Sequence, residues 1–334
     1  MRVLESPLRA FEDPLRDLTE DLDPRPPAAR VTRIRRPAPH RTDGPHLFTT
    51  QRTSIMKLRK VTAASATVFA LALTATACGS SDSGDSGDGG GKKITVGIKY
   101  DQPGIGLKKP DGSFSGFDVD VATYVAKELG YAAKDIEFKE TPSADRENAL
   151  QRGDVDFIAA SYSITDERKA KVDFAGPYLL AHQDLLVRAD EKGISEGADL
   201  NGKKLCSVTG STSAQNVQKE IAPKAQLQNV STYSECLDGL ASGAVDALTT
   251  DDSILAGYAA QDQYKGKFKL AGLKLSNENY GIGVKKGDTA MVDKINKALE
   301  KMESDGSWEK AVEANFGPAN YKNEPAPKIG EIVK

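Results

Sequence analysis

Short apolar runs typical of strands alternate along residues 94–315 with stretches whose apolar side chains recur at helical spacing. Small, polar or glycine residues separate the two kinds of segment. The predicted strands are 94–98, 136–138, 155–159, 204–208, 227–230, 245–248 and 280–284. The predicted helices are 121–129, 143–150, one from 166, one from the turn at 209–213 through 221, 234–240, one from 253, 289–303 and 308–315. Strands that alternate with helices predict an α/β protein of two lobes with largely parallel sheets.

The last two predicted helices need a sheet to cover. If they return to the first lobe, two strands cross between the lobes, near residues 182–186 and 278–281. The predicted lobe 1 is then 93–184 with 279–334, and the predicted lobe 2 is 185–278. This arrangement gives a two-stranded hinge and a cleft at the carboxyl ends of both sheets, where ligands of α/β proteins usually bind.

The first 92 residues have a different composition. Residues 1–55 are rich in Pro, Arg and Asp without apolar periodicity, which predicts disorder. Residues 56–78 combine a basic start, an apolar stretch too short to favour a membrane span, and a final Cys78, as in an export signal. Residues 79–92 are Gly, Ser, Asp and Lys only, which predicts a flexible tether.

The end of the export signal, Ala75-Thr76-Ala77-Cys78, resembles the lipobox of bacterial lipoproteins, although Ala75 stands where that pattern usually has Leu. The resemblance implies that Cys78 is acylated and becomes the mature N-terminus at the outer face of a membrane. Residues 1–55 would then be an over-extended reading frame before Met56. The alternative is a genuine cytoplasmic arm on an uncleaved anchor.

Composition excludes several classes of function. The chain has 334 residues and a net charge of -3, which gives no electrostatic footprint for nucleic acid. Of its three histidines, only His182 lies outside residues 1–55. This disfavours a His-rich metal site and Ser–His or Cys–His catalysis, so we expect no metal and no cofactor.

Candidate binding chemistry is concentrated in residues 159–178. Small hydroxyl residues, Ser161 and Ser163, follow the predicted strand, and Thr165 is a favoured N-cap type for the next helix. Arg168 lies in the first turn of that helix. Hydroxyls, exposed N–H groups and a guanidinium are suited to holding a small anion. The alternative is a surface arginine paired with Asp166 or Glu167.

Two cysteines, Cys206 and Cys236, lie thirty positions apart in the predicted lobe 2. In an exported protein such a pair is most simply a disulfide, provided that Cys78 carries lipid. A metal site would need further ligands nearby.

Two segments resemble family 3 of the extracellular solute-binding proteins, the amino-acid receptors of ABC importers. These segments are 116–129, GFDVDVATYVAKEL, and 165–168, TDER. The likeness extends over residues 94–316. Residues 99–104, the GPYLL block at 176–180, and LCSV at 205–208 with Cys236 resemble the glutamate-binding lipoproteins of Gram-positive uptake systems. The resemblance implies the two-lobed periplasmic-binding-protein fold of type II, a monomer without catalytic activity, and docking onto a permease.

The same resemblance implies a ligand site. Arg168 would bind the α-carboxylate, Ser161 and Ser163 the amino and carboxylate groups, and Asp251 the α-ammonium. Arg146 would bind a side-chain carboxylate. The remaining implied residues lie at the entrance of the lobe 2 helix or along the cleft: Thr212, Gly210, Ser211, Gln102 and Tyr178. Two arginines and one aspartate would neutralise a ligand of charge −1.

Alternatives stay open for two of these residues. Arg146 would otherwise be an exposed helix residue paired with Asp145 or Glu147, and Asp251 would serve only as an N-cap of the helix from Ser253.

The expected function is that of a receptor for L-glutamate. Closure of the lobes would bring in Thr212 and Asp251. The alternatives are a receptor for aspartate, glutamine or asparagine, a dehydratase-type enzyme on the same fold, and a receptor-linked sensor. An enzyme needs a poised acid or base, and the expected carboxylate, Asp251, is committed to an ammonium.

Overall fold

The computed structural model describes residues 92–334. The predictions for residues 1–55, for the export signal with Cys78, and for nearly all of the tether lie outside the described residues. Within residues 92–334, no helix combines the length and apolar character needed to cross a membrane.

Twelve strands and eight helices are found in this part of the chain. The strands are β1 (Ile94–Ile98), β2 (Asp101–Gln102), β3 (Gly106–Lys108), β4 (Phe114–Ser115), β5 (Ile136–Glu140), β6 (Phe157–Ile158), β7 (Val172–Arg188), β8 (Lys204–Val208), β9 (Gln226–Val230), β10 (Ala247–Asp251), β11 (Phe268–Leu270) and β12 (Ser276–Lys285). The helices are α1 (Phe117–Glu128), α2 (Arg146–Arg152), α3 (Asp166–Lys169), α4 (Thr212–Asn216), α5 (Tyr233–Ser242), α6 (Asp252–Ala259), α7 (Thr289–Ser304) and α8 (Ser307–Phe316). One π-helical turn, Val217–Ile221, continues α4.

Strands from both lobes meet in one sheet with the order β5-β1-β6-β12-β7-β10-β8-β9, and β11 pairs with β7. The flanks β5-β1-β6 and β10-β8-β9 are each parallel. Between them β7 and β12 pair antiparallel along most of their length. The prediction of two parallel-rich sheets joined by a two-stranded hinge is therefore confirmed, with β7 and β12 as the hinge strands.

The hinge strands are irregular at one point that helps to form the site. Their register shifts between Tyr280 and Ile282, on either side of Gly281. A Cβ atom on Gly281 would lie 2.6 Å from the Ile164 side chain, closer than side chains pack. Because Gly281 has no side chain, the segment after β6 approaches the hinge closely, and Ser163 forms a bridge with Tyr280.

The core of the first lobe includes side chains of α1 and of the two last helices, α7 and α8. The Phe117 ring at the start of α1 packs against Trp308 and Phe316 of α8 at centroid distances of 6.0 and 5.1 Å. The indole N–H of Trp308 donates to the carbonyl of Tyr178 on β7 at 2.8 Å. The two last helices therefore cover the sheet of the first lobe, as the sequence predicts.

A disulfide joins Cys206 of β8 to Cys236 of α5, as the sequence predicts. Both residues are buried in the second lobe. The bridge ties a helix to its sheet on one side of the hinge.

Several predicted boundaries differ from those of the structure, and two of the differences matter for the site. Helix α2 begins at Arg146 and has Asp145 at its N-cap position, so Ser143 caps no helix. Strand β10 extends to Asp251, which places this carboxylate at a strand end. The strand predicted at 155–159 is reduced to β6.

Candidate functional site

A small cavity lies between the lobes at the carboxyl ends of β6, β8 and β10. Its lining is almost entirely polar: Ser143, Arg146, Ser161, Ser163, Arg168, Ser211, Thr212, Ser213, Tyr233, Thr250, Asp251 and Ile254. The space open to the centre of a water molecule is about 10 Å³, which is room for about one water. The lobes are therefore closed on each other, and a larger ligand enters only when they part.

Arg168 connects the two lobes. Its backbone N–H is capped by the Thr165 hydroxyl at 3.2 Å, which fixes the start of α3. One guanidinium nitrogen donates to the Ser163 carbonyl at 2.8 Å, and another donates to the Gly210 carbonyl at 2.9 Å. Because Gly210 belongs to the second lobe, this side chain spans the cleft.

The alternative interpretation of Arg168 as a surface ion pair is wrong. Asp166 pairs with Lys169 at 2.7 Å, and Glu167 lies 3.9 Å from Lys171. Arg168 is buried, and its nearest carboxylate oxygen belongs to Glu147 at 3.7 Å.

Arg146 is buried and has no carboxylate partner within residues 92–334, so the alternative of an exposed pair with Asp145 or Glu147 is also wrong. It is 2% exposed, and its guanidinium lies 4.2 Å from the centre of the Tyr162 ring. It donates to the carbonyls of Ala160 and Ser161 at 2.9 and 3.2 Å. Its Nε has no hydrogen-bond partner among the described residues. Burial and the charge of Arg168 lower the pKa of Arg146 to about 10.

Lys99 is a cation of this site that our sequence interpretation missed. It follows β1 directly, is 6% exposed, and donates from Nζ to the Ser143 hydroxyl at 2.8 Å. Burial, followed by the charge of Arg146, holds its pKa well below the ordinary lysine value. No local signal in the sequence marks it, because its position depends on the parallel pairing of β1 with β6, whose carboxyl ends meet at one edge of the sheet.

Ser161 links the cavity to the interior of the first lobe. Its backbone has φ of 43°, in the left-handed region, and its N–H donates to Asp118 at 2.7 Å. Its hydroxyl donates to the Gln102 side-chain oxygen at 3.0 Å, which leaves Gln102 Nε2 without a partner among the described residues. Gln102 and Lys99 line an adjacent cavity that shares Tyr233 with the first one.

Tyr178 does not line either cavity, contrary to the expectation from the sequence. Its hydroxyl donates to Asp118 at 2.6 Å, so it lies behind the site and orients the carboxylate that holds Ser161. The Tyr178 hydroxyl and the Asp118 carboxylate are both buried away from water, and each would lack a hydrogen-bond partner without the other.

The predicted helix entrance of the second lobe lies across the cavity. Ser211 caps α4 by accepting the Ala214 N–H at 3.2 Å, and the Thr212 hydroxyl donates to Glu278 at 2.9 Å. Gly210 has φ of 81°, and a Cβ there would lie 2.8 Å from Ala144. A glycine is required at this position because the lobes approach each other here.

Asp251 faces the cavity and makes no side-chain cap on α6, so it is more than an N-cap. It accepts a short hydrogen bond from the Tyr280 hydroxyl, and the Ser213 hydroxyl lies 3.5 Å away. Burial and the nearby carboxylate of Glu278 raise the pKa of Asp251 well above its ordinary value. Glu278, on hinge strand β12, is a second site residue that our sequence interpretation missed.

The charges of the site fall into two groups. Arg146 is the charge that acts most strongly on the pKa of Lys99, and Glu278 is the charge that acts most strongly on the pKa of Asp251. Arg168 acts on the pKa of both Lys99 and Asp251. The expected balance of two arginines and one aspartate is therefore incomplete. The site has a cationic end and an anionic end.

Asp118 gives a testable pH dependence of stability. Its burial raises the pKa to about 6, although the Tyr178 and Ser161 bonds oppose the rise. Because the folded pKa exceeds the unfolded value, the stabilisation is present at low pH and is lost as the pH rises through 6. We expect this residue alone to reduce the free energy of unfolding by roughly 2 kcal/mol between pH 4 and pH 7. Urea unfolding at four pH values measures this change in the free energy of unfolding. The Asp118→Asn variant should have a flatter profile than the wild type, and parallel profiles would contradict the assignment.

Comparison with known proteins agrees with this geometry. The model of the bacterial extracellular solute-binding proteins, family 3, matches residues 94–318. The chain belongs to this family. Membership makes it an extracellular solute-binding protein.

Named relatives of this family 3 protein differ in ligand. The glutamate-binding protein GluB of Corynebacterium efficiens is 49% identical over 274 residues, covering 78% of this chain and 92% of the relative. The ABC transporter glutamine-binding protein GlnH of Bacillus subtilis is 43% identical over 218 residues, covering 65% and 78%. The solved structure of an ancestral arginine-binding protein bound to glutamine has a TM-score of 0.63 at 39% identity, covering 67% of this chain and 98% of that one.

These relatives are binding proteins and not enzymes, which agrees with the expectation for this family 3 protein. Their ligands differ in the side chain, so the choice of ligand has to be argued from the site itself.

Proposed function

We propose that the chain is a lipid-anchored, extracytoplasmic receptor that binds an acidic amino acid, L-glutamate, between its lobes and delivers it to the permease of an ABC importer. Cys78 would carry the lipid. Arg168, Ser161, Ser163 and Thr212 would bind the α-carboxylate region of the ligand.

The observation that supports an acidic ligand is a pair of buried basic side chains, Lys99 and Arg146. No carboxylate oxygen of the described residues lies within 4.0 Å of the charged nitrogens of Lys99 or Arg146. An unpaired buried charge costs several kcal/mol, so proteins keep one only where something else neutralises it. In the described part of the chain, Arg146 Nε and Gln102 Nε2 are also buried donors without hydrogen-bond partners. A side-chain carboxylate at this end would accept from all of these donors.

The anionic end of the site suits the ligand ammonium. Asp251 and Glu278 repel each other while both are charged, and an ammonium between them relieves that repulsion. The ordered charges thus match an amino acid whose ammonium lies at one end and whose second carboxylate lies at the other.

Glutamate and its close analogues differ in how well they fit this order. Aspartate has both carboxylates but is shorter by one CH₂ group, so it cannot reach both ends equally well. Glutamine and asparagine present an amide, which leaves Lys99 and Arg146 without a counter-charge.

Calorimetric titration of the purified protein with the four amino acids tests the proposal. We expect glutamate to bind at least 30-fold more tightly than glutamine, a difference of about 2 kcal/mol that one lost charged hydrogen bond accounts for. Tight binding of glutamine without binding of glutamate would contradict the acidic ligand. If none of the four amino acids binds, the proposal of an amino-acid receptor fails.

A further inference from the structure

Residues 317–334 cross from the first lobe to the second and back. They leave α8, and the hydroxyl of Tyr321 donates to Asp252 of α6 at 2.9 Å. Farther along, the Glu324 carboxylate lies 2.9 Å from both Lys274 Nζ and His182 Nε2. Asp252 and Lys274 belong to the predicted lobe 2, and His182 lies on β7. This segment, which we call the strap, therefore touches both lobes and the hinge.

The strap is held more firmly on the side of the first lobe and the hinge. Its Gly330 N–H donates to the carbonyl of Gly176 on β7 at 2.9 Å. Asn279 of β12 both donates to the Val333 carbonyl and accepts the Val333 N–H, at 2.9 and 3.0 Å. Asn277 donates to the carbonyl of Lys334 at 2.9 Å. These bonds keep the strap on the hinge strands.

Contact with the second lobe is sparse by comparison. A groove of about 400 Å³ separates the strap from the second lobe. It is lined on one side by strap residues 319–322 and on the other by α6 and residues near Lys274. Tyr321 crosses this groove with a hydrogen bond to Asp252, and Glu324 crosses it with an ion pair to Lys274. Glu324 and Lys274 are 34% and 61% exposed as side chains, so this pair shifts an equilibrium by no more than about fivefold. Contacts of this kind can break without unfolding either lobe.

The strap is linked to the ligand site through two neighbouring residues at the start of α6. Asp251 points into the cavity, while Asp252 accepts the Tyr321 hydroxyl and the backbone N–H groups of His182 and Ser253. The distances from Asp252 to the two N–H groups are 3.0 and 2.8 Å. Tyr321 thus holds the same turn that presents Asp251.

We propose that the strap is a latch that favours the closed orientation of the lobes, and that Tyr321 and Glu324 set the position of the open–closed equilibrium. Contacts that the strap keeps when the lobes close around a ligand, and loses when they open, shift the equilibrium toward the closed orientation and raise the apparent affinity for that ligand. The latch would act on all ligands alike, because it touches none of the residues that line the cavity. The inference rests on lobe closure and not on the identity of the amino acid.

The test compares the full chain with its Tyr321→Phe/Glu324→Gln variant, both carrying Cys78→Ser and dyes on Lys127→Cys and Ser242→Cys. Single-molecule energy transfer then reports the distance between the lobes. Without amino acid, we expect the variant to populate the open, low-transfer state several-fold more often. With amino acid, we expect binding three- to tenfold weaker for every ligand, through faster dissociation. The control is Glu331→Gln, which removes a strap carboxylate whose partner, Lys328, lies in the strap itself.

Unchanged transfer and dissociation in the variant would overturn the latch, as would a shift toward the closed state. The Lys274→Gln variant removes the Glu324 pair from the other side, and it should give part of the same shift without altering the strap. Failure of the wild type to bind any amino acid would refute the proposed function alone, because the measurement without ligand still tests the latch.

Discussion

Replacing Arg168 by alanine is expected to weaken binding of every amino acid by roughly a thousandfold. Truncating one partner of a buried, hydrogen-bonded charge pair costs about 4 kcal/mol, because the ligand carboxylate is left unpaired in a closed site. Calorimetric titration measures the loss. The fold should survive, since water can replace the guanidinium at the carbonyls of Ser163 and Gly210. The Glu147 carboxylate, 3.7 Å from Arg168, keeps its hydrogen bond from the Tyr162 hydroxyl.

The control for this change is Arg152→Ala. That arginine is 61% exposed as a side chain and, among residues 92–334, pairs only with Asp154, so its loss should leave affinity unaltered. Thermal unfolding of both variants separates a loss of binding from a loss of structure. Affinity retained within tenfold in a folded Arg168→Ala protein would exclude the carboxylate role of this residue.

Replacing Lys99 and Arg146 by glutamine, singly and together, is expected to change specificity. Each single change should weaken glutamate binding by about 30- to 100-fold, because it removes a charged donor to the side-chain carboxylate. Glutamine binding should change by less than about threefold, as it loses no ion pair. The double variant should prefer glutamine. Parallel titrations with the two ligands measure the difference, and an exposed lysine, Lys109→Gln, is the control.

Proton uptake gives a second measurement of the same assignment. Burial and the two arginines lower the pKa of Lys99, and a ligand carboxylate would raise it again. Glutamate binding should therefore take up protons once the pH exceeds the lowered pKa of Lys99, and the preference for glutamate should fall as the pH rises toward the ordinary lysine value of about 10.4. Glutamine has the same α-carboxylate and α-ammonium but no side-chain carboxylate, so its proton uptake serves as the reference.

In the titrations of the Lys99 and Arg146 variants, equal losses of affinity for glutamate and glutamine would contradict a role of these residues in specificity.

The main architecture was predictable because it depends on local patterns. Alternating strands and helices predict the parallel flanks, and helices at 289–315 that need a sheet predict the hinge. The position of Arg168 also follows from local signals, namely small hydroxyls after a strand and a capping Thr165. Each of these signals lies within a few residues of the feature that it predicts.

The rest of the site depends on contacts between distant segments. Ser143 resembles a helix cap, yet its hydroxyl accepts from Lys99, 44 positions away. Lys99 directly follows a β-rich stretch of the sequence, and nothing in that stretch indicates that its side chain is buried. The burial results from the packing of the lobes. Glu278 lies within a strand, and its closeness to Asp251 depends on how the hinge brings two strands together. The role of Tyr178 was misjudged for the same reason.

The disulfide between Cys206 and Cys236 lies wholly on one side of the hinge. Neither residue lines the cavity, and neither belongs to β7 or β12. The bridge therefore restricts the unfolding of one lobe and leaves the relative motion of the lobes unrestrained. Its benefit concerns durability: a receptor exposed to extracellular proteases lasts longer when its second lobe rarely opens locally, while each cycle of capture and release proceeds at the same rate.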